Sequence, residues 1–152
     1  MDAYKTPEAD LTTVDKQAFK PVKAILYGLC VSIILASIVA IIEGILFGLA
    51  LGVDFTDEGA LESALNNSTA FLIGDTILSA LVLYFAGRVV GKYVPGKETK
   101  YGVILTIITL TIYLPILIAT DSFSIYPIWY NSIGILVIVF AIYLGAKSRV
   151  PT

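Results

Sequence analysis

Four apolar blocks dominate this sequence: Ala24–Val53, Thr69–Val90, Tyr101–Thr120 and Tyr126–Ala146. Each is about as long as the ~20 residues an α-helix needs to cross a bilayer core. A helix satisfies its backbone hydrogen bonds within the segment, which is the condition lipid imposes on any crossing element. The expectation is therefore an all-α integral membrane protein, with four transmembrane helices in an antiparallel up-down bundle. Composition agrees, because 57% of residues are hydrophobic and 14% charged, against about 45–50% and 25% in soluble domains. The implied domain plan is a tail over 1–23, a four-helix domain over 24–146 and a second tail over 147–152. No cleavable leader is expected, since the first apolar run begins only after Lys23 and far exceeds the ~7–15 residue core of a signal peptide. In the tail, Thr6-Pro7-Glu8 reads as a helix start that puts Leu11, Val14 and Ala18 on one face, as in a short helix lying on a membrane surface.

The charges supply an orientation. All ten basic residues fall in the tails or around the second connection: Lys5, Lys16, Lys20, Lys23, then Arg88, Lys92, Lys97, Lys100, then Lys147 and Arg149. The first connection carries Asp54, Asp57, Glu58 and Glu62, the third carries Asp121, and neither holds a Lys or Arg. The positive-inside rule then puts both termini and the middle loop in the cytoplasm, with the acidic loops outside. Aromatic residues mark the same boundaries, with Tyr27, Tyr93, Tyr101 and Tyr143 at the inner interface and Phe55, Tyr126, Trp129 and Tyr130 at the outer. Leu61 and Leu65, set among the acids of the first loop, suit a short surface helix there.

Several chemistries are excluded. The chain has no histidine, which removes imidazole haem ligation, histidine zinc sites and a Ser/His/Asp triad. Its one cysteine, Cys30, permits neither an internal disulfide nor a CxxC pair, and reads as a small packing residue. No metal site, cofactor or enzymatic activity is expected. A net charge of −2 gives no reason to expect a nucleic-acid partner.

The first block would be about 45 Å long as one helix, against a hydrocarbon core of about 30 Å. It must tilt, bend or protrude. Every fourth position in it is small: Ala24, Gly28, Ser32, Ala36, Ala40, Gly44, Gly48 and Gly52. Such spacing lets helix backbones approach closely in lipid. A four-residue step overshoots a 3.6-residue turn by about 40°, so the stripe winds around the helix and no single neighbour can follow it. The two halves should contact different partners, with Gly44, Gly48 and Gly52 making the closest crossing. Gly87 and Gly91 in the second span, and Ala141 and Gly145 in the fourth, offer the same spacing. Pro115 should kink the third span.

Ionisable groups inside a span are costly and mark candidate sites. Arg88 is close enough to the cytoplasmic end to reach the headgroups. Glu43 lies about 30 Å of helix beyond Lys23 and reads first as a carboxylate at the outer water boundary. Asp75 lies about 10 Å inside the second span, counted from its expected cap Ser68, and is the stronger candidate. Tyr113, Asn131 and Thr76 fall at the same level, with Asp121 just above. Converged, Glu43, Asp75, Tyr113, Asp121 and Asn131 would form an outward vestibule able to bind a cation or titrate.

The stretch Gly87-Arg88-Val89-Val90-Gly91-Lys92, followed by Pro95-Gly96-Lys97 and a new apolar span, resembles a pattern in small four-helix bacterial inner-membrane proteins, a group mostly without an assigned activity. The likeness covers the second half of the chain. It implies a multi-pass protein of the bacterial inner membrane and carries over no catalytic position. Two functional readings follow. One is a non-enzymatic protein that acts through helix packing, in the lipid bilayer, as a homo-oligomer or an accessory subunit of a larger membrane complex. The other is a small cation- or proton-coupled transporter or channel using Glu43 and Asp75. Four spans fall short of the two related halves usual in transporters, so the second reading calls for a dimer.

Overall fold

The computed structural model describes residues 20–52 and 57–149. The expected tail helix at Thr6 and the aromatic Phe55 lie outside them. The described residues are all-helical, in the order α1 (Pro21–Leu51), α2 (Glu58–Asn66), α3 (Thr69–Tyr93), α4 (Glu98–Ala119), α5 (Ser122–Ile125) and α6 (Ile128–Lys147). Four of these, α1, α3, α4 and α6, are long and apolar enough to cross a membrane.

Local chemistry sets the ends. Pro21 opens α1, where its missing N–H costs nothing, and Gly52 closes it at φ 66, a left-handed conformation suited to glycine. The Asp57 carboxylate accepts from the Ala60 N–H at 3.0 Å to start α2, and the Ser68 hydroxyl accepts from the Phe71 N–H at 3.3 Å to start α3. Gly96, at φ 76, turns the chain between α3 and α4, and its N–H is held at 2.9 Å by the buried carboxylate of Glu98. Helix α4 continues through Pro115. The third connection is not a bare turn but the single-turn helix α5.

The tightest packing joins α3 to α6. A Cβ added to Gly87 would fall on the carbonyl oxygen of Ile142, and one added to Gly145 on that of Tyr84. Gly91 faces the Ala146 carbonyl at 3.0 Å from the same imaginary atom. Backbone therefore lies directly on backbone. Around this crossing, Gly102 admits Ala146 from α6 at 2.6 Å, and Gly28 admits Val90 at 2.6 Å and Leu105 at 3.0 Å. The core that results, Ala24, Ala86, Val90, Val94, Leu105, Ile138 and Ile142, sits largely at the end of the bundle that carries the basic residues. The Lys20 N–H donates to the Tyr93 carbonyl at 3.1 Å, and the Tyr27 and Tyr93 rings meet at 5.2 Å, closing that end.

The close crossing expected at Gly44 and Gly52 is absent among the described residues. Gly44 and Gly52 have no atom within 4 Å of an added Cβ, and among the outer three only Gly48 is buried. The stripe begins inside the bundle at Ala24 and Gly28, reaches the surface at Ala36 and Ala40, and turns inward again at Gly48. That path is the drift of a four-residue step around a 3.6-residue helix. Cys30 lies on the exposed face of α1 rather than in the packing.

Candidate functional site

The other end of the bundle is built differently. Gly74 on α3 leaves room beside it, and α1 fills that room with Glu43 and Phe47, whose carboxyl oxygen Oε1 and ring stand 3.6 Å and 3.5 Å from the position a Gly74 Cβ would take. Phe47 also packs edge-on against Phe71, with ring centroids 5.3 Å apart. Glu43 is consequently only 3% exposed. Where a water-exposed carboxylate was expected it is buried, because its face of α1 is turned against α3 and the missing side chain at Gly74 lets it lie there. Neither Oε1 nor Oε2 has a hydrogen-bond partner among the described residues. The ionisable group close enough to act on it is Asp75.

Asp75, half-buried on α3, accepts a hydrogen bond at Oδ2 from the Tyr130 hydroxyl of α6 at 2.5 Å. Tyr113 of α4 lies within electrostatic reach of the same carboxylate, and its hydroxyl closes against Gly134 at 3.2 Å from an added Cβ. Tyr126, on the connection before α6, stacks on Tyr130 with centroids 5.1 Å apart. Burial pushes the Tyr126 hydroxyl pKa up, and Glu62 and Asp75 add their negative potential, so it remains a hydrogen-bond donor at neutral pH. Four helices therefore meet at two carboxyls and the hydroxyls of Tyr113 and Tyr130.

Two residues expected in this group are elsewhere. Asn131, fully buried, donates from Nδ2 to the Ser122 carbonyl at 3.1 Å and so bolts α5 to α6. Asp121 is exposed, holds a left-handed φ of 51 and accepts at Oδ1 from the Ser124 hydroxyl at 3.0 Å. Both serve the α4–α6 connection. Thr76 donates to its own helix at the Leu72 carbonyl, at 2.7 Å. Tyr130 was the residue that sequence reasoning passed over in favour of its neighbour Asn131. Only its place in the aromatic run Tyr126, Trp129, Tyr130 marked it, and that run equally suits an interfacial belt.

Below the acid pair a cavity of about 430 Å³ opens between α1, α3, α4 and α6. Asp75, Tyr130 and Tyr113 stand on its wall with Ser79 and Thr109, and the rest is mainly aliphatic. The Thr109 hydroxyl is buried without a partner. Among the described residues no three His, Cys, Asp or Glu side chains are grouped to hold a metal ion. The chain matches no protein-family model, no curated protein and no solved structure.

Proposed function

We propose that this chain is a non-enzymatic, multi-pass protein of the bacterial inner membrane that handles a proton or a small cation at Glu43 and Asp75. Its four long helices alternate in direction, with the basic end and both termini at the cytoplasmic face. Support for insertion comes from the outer surface, where Ile33, Ile41, Ile118 and Ile128 are each more than 60% exposed, a density of bare aliphatic surface suited to lipid rather than water. Alternation is supported by register. Contacts pair Gly87 with Ile142 and Gly91 with Ala146, rising together along α3 and α6, whereas Gly28 pairs with Val90 and Phe47 with Phe71, running oppositely along α1 and α3.

The observation that carries the functional reading is the buried, unpartnered carboxyl of Glu43. Removing an ionised carboxylate from water without a donor costs several kcal/mol. A proton or a cation is the natural compensation, and intramembrane acids retained at that cost mark ion pathways and proton relays. Reconstitution in liposomes enclosing a pH-sensitive dye, under an imposed membrane potential, tests this. Wild-type protein is expected to admit protons above the protein-free level, and Glu43→Gln to return flux to that level. Equal flux in wild-type and protein-free liposomes rejects the reading. Orientation is checked with Ala60→Cys in a Cys30→Ser background, where an impermeant thiol reagent should label intact cells.

A second reading, a packing role as an oligomer or accessory subunit, is favoured by one observation. Helix α1 buries only 6% of its most apolar window, against 22–28% for the other three. Such a bare helix is free to seat a second copy or a partner span.

A further inference from the structure

The cavity beneath the acid pair is more than a packing gap. Its volume of about 430 Å³ falls within the ~300–1,000 Å³ typical of small-molecule sites, and, like them, it is largely apolar with a few convergent polar groups. Asp75 is its one carboxylate, and no Lys or Arg stands on its wall. The described basic residues are gathered at the opposite end, around Arg88, Lys92, Lys97 and Lys147. Tyr130 donates to Oδ2 of Asp75. Tyr113 and Tyr130 line the same cavity, and aromatic faces attract cations, quaternary ammonium groups among them.

Two polar groups, one on the cavity wall and one beside it, lack hydrogen-bond partners among the described residues. Glu43 is 3% exposed, with both oxygens unpartnered, against Gly74, the residue preceding Asp75. Thr109, on the cavity wall, buries a hydroxyl that also lacks a partner. An inorganic divalent ion fits poorly, because calcium takes about 6–8 oxygen ligands and the wall is mostly hydrocarbon. A monovalent cation carrying its own apolar body matches both parts of the lining.

We propose that this cavity binds an amphipathic organic ammonium ion, its cationic group against Asp75 and the two tyrosine rings and its hydrocarbon body between α1 and α4. The proposal deepens the cation-handling reading above and rests on it for the role of the acid pair. The cation neutralises Asp75 and relieves the negative field at Glu43 behind it. The apolar body takes the space left by small residues Ser79 and Gly134.

The test uses the full chain in lipid nanodiscs, titrated with benzyltrimethylammonium and with neopentylbenzene, the uncharged carbon isostere, each against empty nanodiscs. Calorimetry and the fluorescence of Trp129, the single tryptophan, whose ring centroid lies 6.0 Å from that of Tyr130, report binding. Saturable binding of the ammonium ion is expected, at least tenfold tighter than the isostere. Asp75→Asn, which keeps an acceptor for the Tyr130 hydroxyl, should weaken it at least tenfold. Ser79→Leu, which fills the cavity without touching the charge, should do the same and decides the matter if Asp75→Asn fails to fold. Equal uptake of the two probes, uptake matching empty nanodiscs, or unchanged affinity in folded variants overturns the proposal. Persistence of Glu43-dependent proton flux without ammonium binding removes this inference and leaves the functional reading standing. Specific ammonium binding without proton flux does the reverse.

Discussion

The two ends of this helical bundle solve opposite problems with the same residue type. At the basic end, Gly87, Gly91 and Gly145 bring α3 and α6 into backbone contact and the space is filled by Ala86, Val90 and Ile142. At the acidic end, Gly74 and Gly134 leave room instead, the first for a carboxyl and a phenyl ring from α1, the second for a tyrosine hydroxyl. One end is closed by dispersion contacts among groups with nowhere to move. The other keeps a cavity, an unpartnered acid and a short chain of hydrogen-bonding groups. Rigidity and chemistry are separated along the helix axes, so that polar groups are held by a scaffold whose stability is generated elsewhere.

Substitutions along the axis can break that contrast. The largest effect is expected from Gly145→Ala, because the new methyl falls on the Tyr84 carbonyl and a backbone atom cannot rotate away. Overpacking of this kind costs about 3 kcal/mol or more, to be read as loss of a monodisperse species and of thermal stability in detergent. If Gly145→Ala leaves melting unchanged, the tight end is not where the bundle is held. Glu43→Leu comes next and has the opposite sign. Replacing a buried, unpartnered acid with an apolar side chain is expected to stabilise by about 1–4 kcal/mol, while flux falls to the level of protein-free liposomes. A lower melting temperature in that variant would make Glu43 a structural group and remove the distinction between the ends.

Tyr130→Phe is expected to cost about 1 kcal/mol, the net worth of one hydrogen bond, with a larger effect on proton flux than on melting. Comparable losses in both would show that the Tyr130–Asp75 contact is simply part of the scaffold. The smallest effect belongs to Gly44→Ala, where an added methyl meets no atom within 4 Å. A change within about 0.5 kcal/mol of wild type is expected. A large loss there would reveal a partner helix seated on the bare face of α1, and would favour the packing reading.

How much of this was legible varies by residue. The four long helices were readable to within three residues at every end, because hydropathy and capping are local: Ser68 caps α3 as its position suggested. The short helix after Asp57 was legible for the same reason. The glycine pairs at 87, 91 and 145 announced a close approach. In the more conspicuous eight-residue stripe on α1, Gly28 meets Val90 and Leu105 while Gly44 and Gly52 meet nothing, since a regular spacing says nothing about whether a neighbour lies opposite. Asp75 could be singled out by depth alone. Tyr130 and the burial of Glu43 could not, because both depend on which faces of α1, α3 and α6 turn toward one another. Asn131, expected in the vestibule, bonds instead to the Ser122 carbonyl, a partner that exists only because α5 forms.

The sequence by itself determined the number and extent of the apolar helices and the segregation of charge between their connections. Those properties follow from transfer free energies summed along a continuous segment, and need no knowledge of neighbours. Only the tertiary structure decided which glycines bear contact, which acid loses its water and where a cavity remains. Each of those depends on the rotation of one helix about its axis relative to another, fixed by the few places where backbone meets backbone.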